Sequence, residues 1–291
     1  MGTNPPNTDE LSIGRLLADA TARLRAAGVD SPRREARLLL AHVLGVSQED
    51  IVAERLPPVT SNEASAFETV LKRREAREPL AYIVGRREFW SLDFAVGPGV
   101  LVPRPESEIL IEQALKHFPD RNAHLRVLDL GTGSGCLLLS FLSERPQAQG
   151  VGVDISEAAL AVAQRNAEAL NLSDRARFLR SDWLENVSGA FDVILINPPY
   201  IPQTVLADLQ PEVRTYEPVS ALDGGPGGID AYRDIATGLK GRMTGGGYAF
   251  FEIGQGQAEA VESLLAASAL RVAGTVCDLA GIPRCVIAAP M

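Results

Sequence analysis

Cysteine and histidine are both scarce in this chain, with three of each in 291 residues. Cys136, Cys277 and Cys285 show no C-x-x-C spacing and have no histidine beside them. That pattern excludes a disulfide framework and a zinc-ligand cluster, so no metal is expected. His42, His117 and His124 are scattered and read as surface positions on helices or loops. There is no excess of positive charge either: 28 Lys and Arg face 37 Asp and Glu, a net charge of −9. A dedicated duplex-DNA binder shows a basic patch or domain, so direct nucleic-acid binding is not expected. No stretch approaches the roughly 18–20 apolar residues that cross a bilayer. The polar start Met1–Glu10 lacks the apolar core of a signal peptide. The expectation is a cytoplasmic protein without membrane contact.

What is present is an ordinary globular composition, 46% hydrophobic and 22% charged, long enough for one large domain and a small one. Residues 1–78 read as a helical domain. Ile13, Leu16, Leu17, Ala20 and Leu24 recur at helical spacing, and Gly28 follows as a stop. Ser31 with Pro32 opens a second helix that ends at Gly45, and Thr60 with Glu63 has capping-box spacing. The basic cluster Lys72, Arg73, Arg74, Arg77 suits either a solvated helix end or a partner patch. Residues 79–103 read as a hairpin linker broken by Gly85, Gly97, Pro98 and Gly99. Residues 104–291 alternate strand and helix, which predicts a doubly wound, mostly parallel sheet of the α/β class.

Chemistry concentrates at the ends of the expected strands. Asp129-Leu-Gly131-Thr132-Gly133-Ser134-Gly135 follows the first of them and enters a helix, so its glycines let backbone N–H groups approach a ligand. Its G-x-G-x-G spacing leans away from dinucleotides. Asp154 ends the next strand, where it accepts both hydroxyls of a ribose or caps the following helix, a task for which Ser156 competes. Asp182 and Trp183 follow a further strand and offer a carboxylate and an indole to an adenine; Asp182 alone also reads as a turn residue. Asn197-Pro198-Pro199-Tyr200 stands behind the apolar strand Phe191–Ile196. The prolines fix φ near −65° and remove N–H groups. What remains is an amide, free carbonyls and a flat ring, a set that grips a planar –NH2 group or forms a plain Pro-rich turn. Arg104 and Glu106 suit either one end of a bound ligand or a helix cap.

Together these segments resemble class I S-adenosylmethionine methyltransferases, and the Asn-Pro-Pro-Tyr motif resembles the amino-nitrogen methyltransferases among them. Pro79–Gly85 with Glu88-Phe89-Trp90, Leu101–Glu106, Ser181–Trp183, Glu217-Pro218 with Ala221–Gly225, and Asp278–Gly281 resemble the protein-(glutamine-N5) methyltransferases of class 1 peptide chain release factors. The resemblance covers nearly the whole chain. It implies a seven-stranded Rossmann-like methyltransferase sheet with S-adenosyl-L-methionine as cofactor. It implies that Gly131, Thr132, Gly133, Ser134 and Gly135 cradle the methionine part, Asp154 the ribose, and Asp182 with Trp183 the adenine. Asn197 would touch cofactor and substrate, and Pro198, Pro199 and Tyr200 would frame the glutamine of a Gly-Gly-Gln loop on a release factor. The protein is expected to act as a monomer. The rival readings are a nucleic-acid adenine or cytosine methyltransferase, a non-catalytic binding module and a nicotinamide dehydrogenase.

Overall fold

The structure, a computed structural model, describes residues 12–53 and 57–291, so the polar start read at Met1–Glu10 lies outside the described residues. The chain divides into two compact units, one holding the residues up to Gly85 together with Pro211–Tyr216, the other Arg86–Gln210 with Glu217–Met291.

The first unit is helical: α1 (Ile13–Ala26), α2 (Pro32–Leu44), α3 (Gln48–Val52), α4 (Ser61–Glu75) and α5 (Leu80–Val84). Leu24, Leu39, Leu40, Phe67, Leu71 and Ile83 form its core. The capping box at Thr60 is complete, with the Glu63 N–H donating to the Thr60 hydroxyl and the Thr60 N–H donating to the Glu63 carboxylate. Ser31 occupies the N-cap position of α2, but its side chain accepts no capping bond; Pro32 starts that helix through its fixed φ instead. The alternating run after Glu78 begins as helix rather than hairpin. Leu80–Val84 closes one short turn that Gly85 ends in the left-handed region, φ 79°.

The second unit begins with the antiparallel pair β1 (Arg86–Phe89) and β2 (Leu92–Ala95). It continues through α6 (Glu108–His117), β3 (Arg126–Leu130), α7 (Cys136–Glu144), β4 (Gln149–Asp154), α8 (Glu157–Ala169), β5 (Ala176–Arg180) and β6 (Phe191–Ile196). The next helix, α9 (Pro211–Tyr216), belongs to the first unit. Then come α10 (Asp230–Leu239), β7 (Met243–Glu252), α11 (Ala258–Ala267), β8 (Leu270–Cys277) and β9 (Pro283–Pro290).

The large sheet has seven strands in the order β5-β4-β3-β6-β7-β9-β8. Its first five are parallel, and β9 pairs antiparallel with both β7 and β8. Val127, Leu128, Val193, Ile194, Leu195 and Ile196 are fully buried, as strands covered by helices on both faces require. One core packs α6 and α7 with Phe89 and Phe94 of the hairpin against one sheet face; a second packs α10 and α11 on the other. His117, expected at the surface, is half-buried with its ring against Tyr248 and Phe250. Strand order runs from β3 outward through β4 to β5, then returns to the opposite side of β3 with β6. The crevice beyond the carboxyl ends of β3 and β6 is therefore the topological switch point, where such sheets bind ligands.

Candidate active site

The turn after β3 is shaped by three left-handed glycines, with φ of 73° at Gly131, 55° at Gly133 and 81° at Gly135. Its position is fixed from below. The Gly131 and Thr132 N–H groups donate to the Val153 carbonyl at 2.9 and 2.8 Å, and the Thr132 hydroxyl donates to Asp129 Oδ2 at 2.7 Å. Asp129 is buried near the end of β3, and the Leu138 N–H also donates to its Oδ2, leaving Oδ1 without a partner among the described residues. Burial pushes the Asp129 carboxyl up to about 7, against the pull of these bonds.

Asp154 ends β4 beside the turn. Its Oδ2 accepts from the Gly133 N–H and its Oδ1 from the Ser156 N–H, both at 2.9 Å. The capping role falls to Ser156, which accepts from the Ala159 N–H. Asp154 is thereby left as a braced acceptor at the cavity wall. Trp183 follows β5, with its ring so close to the turn that a Cβ on Gly131 would stand 3.4 Å from Cζ3. Asn197 follows β6, and its Nδ2 donates to the buried Ser107 Oγ at 3.1 Å. With the NH2 end committed to Ser107, the amide oxygen is the end left to meet a ligand.

A cavity of about 280 Å³ joins these groups. Gly131, Gly133, Asp154, Asp182, Trp183, Asn197 and Pro199 line it; Thr132, Ser134, Gly135, Pro198 and Tyr200 do not. Pro198 is buried, and the half-buried Tyr200 donates from its hydroxyl to Glu252 Oε1 at 3.2 Å. Burial, with the Glu252 charge beside it, holds the Tyr200 hydroxyl well above the usual phenol range, so it remains a donor. The opposite wall comes from Gly99–Leu101 and from Pro218, Ser220 and Ala221, segments that sequence reasoning did not assign to the site. Ile155 also lines the cavity and remains 55% exposed, an apolar surface for a flat ring.

Three buried polar residues hold this arrangement: Asn166 and Glu252, which the sequence did not single out, and Glu217, named there only as part of a resembling segment. Asn166 accepts from the Ala95 N–H and donates to the carbonyls of Ala95 and Ser134, tying the hairpin to the glycine turn. Glu217 accepts from Arg104 and from the Val102 N–H. Glu252, which accepts from Tyr200, is pushed above the ordinary carboxylate range by burial, against the Tyr200 and Ser107 hydroxyls beside it and the charge of Arg284. Of the three, only Glu252 carries the sequence signal of a carboxylate inside an apolar run, Tyr248–Ile253.

An acidic acceptor, an apolar slot beside an indole, and a turn without side chains form a set that fits a nucleoside with a short polar tail. S-adenosylmethionine is such a molecule. Among the described residues no cluster of His, Cys, Asp or Glu could hold a metal ion, and no helix is long and apolar enough to cross a membrane.

Residues 15–85 match the family model described as the PrmC N-terminal domain, and residues 106–209 match the methyltransferase small domain. A release factor glutamine methyltransferase of Rhodospirillum rubrum is 46% identical over 289 residues, 99% of this chain and 88% of that protein. A protein of the same name from Caulobacter vibrioides is 42% identical, covering 95% of this chain and 96% of its own. A solved methyltransferase from Pyrococcus furiosus shares the fold at 18% identity with a TM-score of 0.51, over 68% of this chain and 88% of that one. With identity this high along nearly its full length, the chain belongs to the release factor glutamine methyltransferase family.

Proposed function

We propose that this chain transfers a methyl group from S-adenosyl-L-methionine to the side-chain amide nitrogen, N5, of the glutamine in the Gly-Gly-Gln motif of class 1 release factors, and so supports translation termination. One observation carries the reading: Asn197-Pro198-Pro199-Tyr200 stands at the carboxyl end of β6, beside the glycine turn of β3, with the Asn197 NH2 end committed to Ser107. The name carried by relatives at 46% and 42% identity supports the substrate class.

In this reading Gly131–Gly135 would hold the methionine end of the cofactor, Asp154 the ribose, and Asp182 with Trp183 the adenine. Bound there, S-adenosylmethionine supplies a methyl group on a sulfonium. The chain's own residues prepare the acceptor. A carboxamide nitrogen is a weak nucleophile because its lone pair is delocalised into the carbonyl. The Asn197 oxygen and the Pro198 carbonyl are assigned to its two hydrogens, so that they favour the more positive nitrogen of the transition state. Tyr200 is assigned to limit rotation of the flat amide, and the Glu252 bond restrains its hydroxyl. No strong base is required, since solvent takes the proton from the acidic product. The helical domain read at residues 1–78 is assigned to holding the release factor. The protein is proposed to work as a cytoplasmic monomer and without nucleic acid, the last of these supported by its net charge of −9.

The test is incubation with labelled S-adenosylmethionine and either purified release factor or DNA, followed by mass spectrometry of the Gly-Gly-Gln peptide. One added methyl on that glutamine is expected, and Asn197→Ala should lower turnover by roughly 10²-fold with cofactor saturating. Label on DNA, or an unmodified glutamine, overturns the reading.

A further inference from the structure

Glu252 is the last residue of β7, and the register pairing Ile196 with Phe251 brings it alongside Asn197 on the neighbouring strand. It is 2% exposed, and it accepts the Tyr200 hydroxyl through Oε1. Its Oε2 is buried and has no partner at full hydrogen-bonding geometry among the described residues. Yet the Ser107 hydroxyl stands near enough to lower the proton affinity of the carboxyl. Ser107, at the start of α6 and equally buried, accepts the Asn197 Nδ2–H through its oxygen. Asn197 with Ser107, and Tyr200 with Glu252, thus form two bonded pairs at the two ends of the Asn-Pro-Pro-Tyr segment, with the Ser107 hydroxyl beside the Glu252 carboxyl.

We infer that Glu252 is a positioning residue which, acting through Ser107, fixes which way round the Asn197 amide stands. The argument is one of hydrogen-bond polarity and rests on the role proposed above for Asn197. When ionised, the Glu252 carboxylate only accepts, so the single Ser107 hydrogen turns toward it. The Ser107 oxygen is then an acceptor alone toward Asn197, and only the NH2 end of that amide satisfies it. The Asn197 oxygen is forced to the other side, where the substrate nitrogen needs an acceptor. A neutral group at position 252 removes the constraint. A glutamine NH2 can donate to Ser107, whose hydrogen then turns to Asn197 and draws the amide oxygen away from the substrate.

Glu252→Gln separates polarity from shape, because it is isosteric and removes a buried charge. The expected result is a melting temperature equal to or above that of the unsubstituted protein, an unchanged dissociation constant for S-adenosylmethionine, and a kcat reduced on the order of 10-fold to 10²-fold. Ser107→Ala should give a similar loss, and the double variant no more than either single one. Unchanged kcat in Glu252→Gln, or losses that multiply in the double variant, would overturn the inference while leaving the methyl-transfer reading intact. Neutron diffraction from perdeuterated crystals provides a readout independent of activity. It should place the Ser107 deuterium toward Glu252 and an Asn197 amide deuterium toward Ser107; a Ser107 deuterium aimed at Asn197 would sink the proposal.

Discussion

Arg104 donates to Glu217 at 2.5 Å, and the carboxylate it meets is 1% exposed. The bond joins two segments far apart in sequence that approach the same cavity: Gly99–Leu101 precedes Arg104, and Pro218, Ser220 and Ala221 follow Glu217. Among the described residues, the Val102 N–H, at 3.2 Å, is the other donor to this buried charge.

The two ends of this pair should not be equivalent. Arg104→Ala leaves a buried carboxylate facing one backbone N–H, a loss of about 3–5 kcal/mol for an orphaned buried charge. Glu217→Gln removes the charge and keeps the shape, and Arg104 is 34% exposed and can turn to water. Differential scanning calorimetry should show the lower melting temperature in Arg104→Ala, accompanied by weaker S-adenosylmethionine binding. Equal melting temperatures would show that the carboxylate is not held by this bond.

Asn166 should matter more than an ordinary position within a helix. Its side chain is 1% exposed and satisfies the Ala95 N–H, the Ala95 carbonyl and the Ser134 carbonyl. Asn166→Leu fills much of the volume and leaves all three groups unpaired, at about 1–3 kcal/mol for each one buried. The Ser134 carbonyl belongs to the glycine turn, so cofactor affinity should fall together with stability. Isothermal titration of S-adenosylmethionine into the variant checks this; a wild-type dissociation constant would mean that the turn keeps its shape without Asn166.

The parts legible in the sequence were those set by local pattern. β3 and β6 are rich in apolar residues, Asp154 ends a strand, the glycine turn and Asn197 each follow one directly, and Trp183 follows closely on another. The parts that were not legible depend on pairing at a distance. The first half of β7 is one such part, since Thr244-Gly245-Gly246-Gly247 has no strand pattern of its own. In the fold a register irregularity between Phe191 and Val193 lets the strand run through these glycines, and a Cβ on Gly247 would come within 2.8 Å of the Phe191 carbonyl. Glu252 and Ser107 read as a strand end and a helix start until β6 and β7 are set side by side. Tyr200 reads as a free aromatic until its hydroxyl finds Glu252.

In the first unit, Glu212 from α9 accepts from Arg74 at 2.8 Å and from Arg77 through both oxygens. Burial raises the affinity of this carboxyl for its proton, but the two guanidiniums outweigh it and hold Glu212 below the ordinary range. The folded pKa is the lower one, so this contribution is present above the unfolded value of about 4.3 and is lost as pH falls through the folded one. Glu212→Gln should therefore destabilise the unit near neutral pH, with the difference from wild type shrinking in acid. Hydrogen exchange of α4 at pH 7 and at pH 4 measures it; a difference that does not depend on pH would refute the ionic account.

Asp129 carries the opposite sign. Its carboxyl is pushed up to about 7 by burial, whereas the unfolded chain releases that proton near pH 4. Between those values the folded state holds more protons, so stability should fall as pH rises through the window. Asp129→Asn can keep the bonds from the Thr132 hydroxyl and the Leu138 N–H through its oxygen, and it has no charge to bury. The variant should lose this part of the decline and so gain on wild type between pH 5 and pH 8. Both tryptophans, Trp90 and Trp183, lie in the second unit, so their fluorescence during urea unfolding reports on the unit that contains Asp129. Parallel midpoints for the two proteins across that range would show that Asp129 does not titrate within it.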